Sequence, residues 1–215
     1  METSSEATDS EALREAARAA ASQADIRAAV REITVEALSA GRLDTAHIKE
    51  VISSVMAGVT EGVEVNGGDA RRNLEQAWAG LDDALAKSAE AVRLAMQEAR
   101  TDLSSFAESD LRRAADELRG LEQLFLDTAG RVASGAGKTT RQILEHLVDH
   151  AKRVGTDAGR HARPAASALQ NLVEEAARQG LRLGINVTRQ VARVASGVLA
   201  GIADSLDSAS KPPKT

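Results

Sequence analysis

Gly137-Lys138-Thr139 reproduces the end of a phosphate-binding loop. That loop needs a glycine, four residues and then Gly-Lys-Ser/Thr, so that backbone N–H groups and the lysine wrap a nucleotide's phosphates. The first glycine should stand at position 132, where this chain has Val132. The loop must also follow a buried strand, yet Leu121 to Arg131 reads as the end of an amphipathic helix. No later strand ends in an Asp that could hold Mg²⁺. A glycine-rich helix break, with Thr139 capping the next helix, accounts for the same residues. Nucleotide binding is kept only as a minor alternative.

A second candidate follows closely. His146 and His150 stand one helical turn apart, the spacing of paired imidazole ligands in metal-binding helices. With Asp149 they also imitate an inverted zinc-protease motif in which Asp replaces Glu. A catalytic zinc wants three protein ligands, and no third ligand is evident. His47 and His161 stand alone. Asp82-Asp83, Asp116-Glu117 and Glu174-Glu175 sit among Arg and Ala, where charge reads as solvation and i,i+4 pairing. No catalytic residue, metal site or cofactor is assigned.

Composition agrees with a non-enzyme. The chain has 215 residues, and its only aromatics are Trp78, Phe106 and Phe125. Ligand pockets are usually lined by aromatics, so no small-molecule substrate is expected. There is no cysteine, which excludes a disulfide framework and thiolate metal ligands. The acidic start, Met1 to Glu6, is the opposite of a signal peptide. Val194 to Ala203 is too short an apolar stretch to span a bilayer. The expectation is a cytoplasmic protein that can sit at the periphery of a membrane or granule.

Helices must position whatever the chain uses. Ile26, Val30, Ile33 and Ala37 recur at helical spacing, and Gly41 reads as the end of that helix. Asp44 caps the next, with Leu43 and Ile48 as a hydrophobic staple. Its stripe of Ile48, Ile52, Val55 and Val59 runs to the turn Asn66-Gly67-Gly68. A long pattern then covers residues 69–132, with a break expected near Ser104-Ser105. Its stripe is Leu74, Trp78, Leu81, Leu85, Val92, Leu118, Leu121 and Phe125, the expected oligomerisation surface. Further helices are read from Thr139 to about Val154 and from Pro164 to about Leu206.

The fold class is therefore all-α: elongated amphipathic helices, a helical hairpin, a long coiled-coil-like segment and a basic C-terminal helix. Residues 1–9 read as a disordered leader, 10–134 as an acidic helical region, 135–206 as a basic, glycine-rich helical region and 207–215 as a disordered tail.

Two features carry the functional reading. The first is glycine spacing, with four pairs four residues apart: Gly58/Gly62, Gly155/Gly159, Gly180/Gly184 and Gly197/Gly201. Such small-xxx-small pairs let helices approach closely, although some pairs can simply end helices. The second is charge. Residues 1–130 hold 14 Lys+Arg against 25 Asp+Glu, whereas 131–200 hold 11 against 5. This asymmetry points to an anionic partner or to one half folding back on the other.

On a helical wheel Arg178, Arg182, Arg189 and Arg193 fall within about 60° of one another. Leu183, Val187, Val191, Val194, Val198 and Ile202 fall opposite. That is the pattern of a helix at a lipid interface, and equally of a bundle helix with an exposed Arg face. Nucleic acid is not the expected partner, because no aromatics are interleaved to stack on bases.

The stretches ITVEALSAGRLD (33–44), GLDDALAKSAEAVRLAMQEA (80–99) and DLRRAADELRGLEQLFLDT (110–128) resemble an uncharacterised family of bacterial all-helical proteins. The resemblance covers most of residues 25–205 and brings no catalytic motif. In composition the chain also resembles phasins, which coat polyhydroxyalkanoate granules, and exchangeable apolipoproteins. Of the Pro/Ala/Lys-rich tail of some phasins only SKPPKT (210–215) is present. These likenesses imply a homo-oligomer coating a hydrophobic granule or membrane surface. The alternative is a soluble coiled-coil protein-binding module that ignores lipid.

Overall fold

The computed structural model describes residues 2–40, 44–99 and 108–178. Among them the chain forms seven helices and no strand, as the periodicity predicts. They are α1 (Glu2–Ala20), α2 (Ile26–Ala40), α3 (Thr45–Asn66), α4 (Ala70–Ala99), α5 (Glu108–Gly135), α6 (Lys138–Val154) and α7 (Asp157–Arg178).

Short polar residues start several of them. Asp25, Asp44 and Asp69 accept from the backbone N–H of Ala28, His47 and Arg72 at 2.9, 3.0 and 3.1 Å. Each satisfies a donor that the first helical turn leaves open. The expected turn at Asn66-Gly67-Gly68 is present, with φ of 68° and 82° at its two glycines. Only glycine adopts that region cheaply. Gly41 and Leu43 lie outside the described residues, and so does Ser104-Ser105.

The helices pair as α1 with α3 and α2 with α4, while α7 packs on both α4 and α5. α5 also meets α3 and α6. One continuous apolar cluster runs through all these elements except α6's exposed face, from Ala17 of α1 to Val173 of α7. The long segment 69–132 is therefore not one extended coiled coil. Its two halves, α4 and α5, are separate members of a bundle, each covered by α7. Burial of the stripe within the chain is what folds it back.

Boundaries differ at two further places. Regular structure begins at Glu2, where the sequence reading has a leader through residue 9. α7 begins at Asp157, seven residues before Pro164, and carries that proline inside it. Pro164 is exposed, so water can reach the carbonyl that its missing N–H leaves unpaired.

Glycine sets two of the helix contacts. A Cβ on Gly58 or Gly62 of α3 would collide with the carbonyl oxygen of Arg14 or Arg18 on α1. Gly80 stands in the same relation to Arg27 of α2. The pair Gly58/Gly62 thus packs helices. Gly155, with φ of 84°, ends α6.

Candidate functional site

The most polar interior of the described fold surrounds the start of α7. Four positions there carry backbone N–H groups without intrahelical partners. Thr156 caps the helix in the ordinary way, its hydroxyl accepting from Gly159 N at 2.9 Å. The remaining donors are met from other helices. Asp82 of α4 accepts from Asp157 N and Ala158 N, both at 2.8 Å. Glu122 of α5 accepts from Thr156 N at 2.9 Å and from the Thr156 hydroxyl at 3.2 Å. Arg163, nearly two turns into α7, donates to the other oxygen of Glu122. Gly159 leaves room for this, since a Cβ there would meet the Glu122 carboxyl group.

Two carboxylates from two helices therefore clamp the positive end of a third. Their electrostatics differ. Burial pushes the Asp82 carboxyl above the ordinary Asp range, against the two N–H bonds, with Asp157 and Asp83 adding repulsion. Burial also acts to raise Glu122, but the Thr156 backbone bond and the Arg163 guanidinium outweigh it and hold that carboxyl below the ordinary Glu range. Both carboxylates are engaged by the start of α7, Asp82 by two backbone donors and Glu122 by Thr156 and Arg163.

The start of α6 repeats the device. Gly137 N donates to Glu64 of α3 at 2.9 Å. Gly137 is the N-cap and offers no side-chain bond, so Thr139 is not the cap that the sequence suggested. A carboxylate thus stands at the N–H groups that a phosphate loop would offer its ligand. α6 follows the helix α5, not a strand, and Lys138 is exposed. Gly137-Lys138-Thr139 is a helix start held by Glu64.

His146 and His150 are both exposed on α6. Among the described residues no three His, Asp or Glu gather as metal ligands would. No described helix is long and apolar enough to cross a membrane.

The expected oligomerisation stripe lies in the chain's own core. Leu74, Leu81, Leu85, Val92, Leu118, Leu121 and Phe125 are all buried. Trp78 is partly buried and packs on that core, its ring centroid 4.6 Å from that of Phe125. The stripe therefore joins helices of one molecule. Of the expected surface-binding residues, Arg178 ends α7, exposed and beside Glu174 at 3.3 Å. Arg182, Arg189, Arg193, Val187, Val191, Val194 and Val198 lie outside the described residues.

Sequence reading missed the clamp. It took Asp82-Asp83 as a solvated pair, yet Asp82 is 8% exposed while Asp83 pairs with Arg27 at 2.8 Å. One signal was available. Ala86 and Ala89, at i+4 and i+7 from Asp82, are both buried. A flank of alanines beside a leucine stripe indicates a helix covered on two sides, with Asp82 on the second.

Against known proteins, the model of a family described as a family of unknown function (DUF6781) matches residues 3–208. No curated protein and no solved structure matches the chain.

Proposed function

We propose that this chain, which belongs to the family of unknown function DUF6781, is a non-enzymatic helical scaffold that docks on an anionic surface through residues 178–206. The reading rests on one contrast. The apolar stripes of α1 to α7 meet one another inside the molecule. From Arg178 at the end of α7 onward, the sequence carries four arginines on one side of a helical wheel and six aliphatic residues on the other. Arg178, the first of the four, stands at the solvent-exposed end of α7.

A basic residue close to an anionic membrane surface contributes about 1 kcal/mol. Four on one face are enough for reversible, salt-sensitive docking, and the aliphatic face adds apolar contact. Glycine and valine make that insertion shallow, because no Trp or Phe stands among them. Anionic lipid headgroups or the charged coat of a polyester granule fit this chemistry. Burial of the Leu74–Phe125 stripe supports a reading in which assembly, where it occurs, takes place on that surface rather than through this stripe.

The test is flotation of the full-length protein with anionic vesicles, and separately with polyester granules, at low and high salt. Replacing Arg182, Arg189 and Arg193 together by Glu should weaken flotation by at least about 100-fold, at roughly 1 kcal/mol per lost cation. Failure of the unaltered protein to float with either surface would leave a soluble helical module and overturn the reading.

A further inference from the structure

Asn66 is the last residue of α3, and Gly67 follows it at the start of the turn to α4. An asparagine amide carbon lies close enough to the next backbone nitrogen for attack to close a five-membered ring. Two things ordinarily prevent that attack. The next residue's side chain crowds the nitrogen, and regular structure fixes the peptide between the two residues.

These restraints are weak at Asn66. Gly67 brings no side chain, and nothing lies within 4 Å of where a Cβ would stand on Gly67 or on Gly68. Their φ values of 68° and 82° belong to a region that glycine enters cheaply. The Asn66 carbonyl is among the last four of α3, which no intrahelical N–H meets. Helix bonds therefore do not hold the carbonyl side of the Asn66–Gly67 peptide. Asn66, Gly67, Gly68 and Asp69 are all exposed, so water reaches the turn.

The other two asparagines among the described residues stand in contrast. Asn73 lies within α4 and is followed by the buried Leu74. Asn171 lies within α7 and is followed by the buried Leu172. In each case a leucine crowds the next nitrogen, and the helix continues on both sides.

We infer that Asn66 is a site of spontaneous deamidation in the folded protein, with the Gly67 nitrogen as nucleophile. The bond from that nitrogen to Asn66 Cγ forms, and the Cγ–Nδ2 bond breaks. The amide leaves as ammonia, carrying the proton lost from Gly67 N. Water then opens the cyclic imide at either of its carbonyls. One opening leaves aspartate, and the other leaves isoaspartate, whose main chain runs through the former side chain. In sum, one amide and one water give one carboxylate and one ammonium ion.

Either product places a negative charge at the C-terminal end of α3, where the helix dipole disfavours an anion. It also stands three residues before Asp69, whose carboxylate accepts from Arg72 N at the start of α4. Ageing therefore adds like charge to the corner between α3 and α4. The inference goes beyond surface docking and does not depend on it.

The test is ageing of the full-length protein in mildly alkaline buffer, with digested samples mapped by mass over time. A second portion is aged unfolded in guanidinium chloride. Conversion at Asn66 of the folded protein is expected to run at least about ten-fold faster than at Asn73 or Asn171. Aspartate and isoaspartate forms should separate as two peptides of equal mass. Gly67→Ala puts a methyl group beside the attacking nitrogen and should slow conversion about ten-fold. Thermal melting confirms that this variant is folded. Equal rates at Asn66 and the two helical asparagines overturn the proposal, as does a rate unchanged by Gly67→Ala. An Asn66 that converts in the unfolded chain but stays intact in the folded one also overturns it, because the turn then protects the amide.

Discussion

α3 meets α1 through side chains that are absent, whereas α7 meets α4 and α5 through side chains that are charged. At the first contact Gly58 and Gly62 let the carbonyl oxygens of Arg14 and Arg18 come within van der Waals reach of the α3 backbone. Its polar bonds, Arg14 to Glu61 and Ser10 to Glu50, lie at the edges of the contact. At the second, Asp82 and Glu122 reach under the first turn of α7 and accept its open N–H groups. The first contact rests on close backbone approach, with its polar bonds only at the edges. The second depends on hydrogen bonding to carboxylates, which protonation changes. Two helices of equal length are thus anchored by unrelated physics.

The strongest way to break this comparison is at the glycines. Gly58→Leu forces a side chain into the α1 backbone, and α1 cannot retreat without opening the core around Ala17. Overpacking at such a contact costs about 3 kcal/mol. For a chain of this size that lowers the melting temperature by roughly 6–12 °C. Thermal unfolding followed by circular dichroism measures it.

The clamp should respond less strongly, and to pH. Asp82→Ala leaves the N–H groups of Asp157 and Ala158 without acceptors. Unmet buried donors cost about 1–3 kcal/mol each, offset here by relief from burying a carboxylate, so a net loss of about 2 kcal/mol is expected. Glu122→Gln should cost about 1 kcal/mol near neutral pH, since one acceptor remains.

Their pH signatures run in opposite directions. The Glu122 carboxyl is held below its ordinary range, so the folded state binds fewer protons there than the unfolded state. Its contribution is present above the ordinary Glu value and is lost as pH falls through the folded value. The Asp82 carboxyl is raised, so the folded state holds its proton longer. Stability from that group falls as pH rises from the ordinary Asp value to the raised one. Denaturant unfolding between pH 3 and 7 should show a shallower acid limb in Glu122→Gln. In Asp82→Ala the small loss on the rising side should disappear. Parallel curves for both variants and the unaltered chain would show that the clamp does not titrate.

The same contrast explains what the sequence disclosed. Helix periodicity and capping residues are local, so the all-α class, the cap at Asp44 and the turn at Asn66 were legible from spacing alone. Gly58/Gly62 was legible as a packing pair because four-residue spacing puts both on one face. The partner of a stripe is not local. Leu74 to Phe125 reads identically whether another copy or α7 covers it, and only the folded chain shows that its own helices do. Asp82, Glu122 and Glu64 were illegible for a related reason. Each serves a helix start 34 to 76 residues away, and nothing near them in sequence marks that duty. The early start of α7 follows from the same cause: acceptors supplied from α4 and α5 outweigh a proline that local reading takes as a boundary.

The smallest effect expected is at Lys138. A phosphate loop would lose its ligand with that side chain. Here Lys138 is exposed beside a helix start whose cap N–H already serves Glu64. Lys138→Ala should therefore change stability by less than about 0.5 kcal/mol, as exposed substitutions do. Glu64→Ala is the sharper companion, because it frees the Gly137 N–H and removes a negative charge from the helix start. If ATP with Mg²⁺ raises the melting temperature of neither the unaltered chain nor Glu64→Ala, the loop-like sequence is only a helix start. Stabilisation of Glu64→Ala alone would mean that Glu64 occupies an anion site, and the α6 start would then differ from the α7 start in being able to exchange its carboxylate.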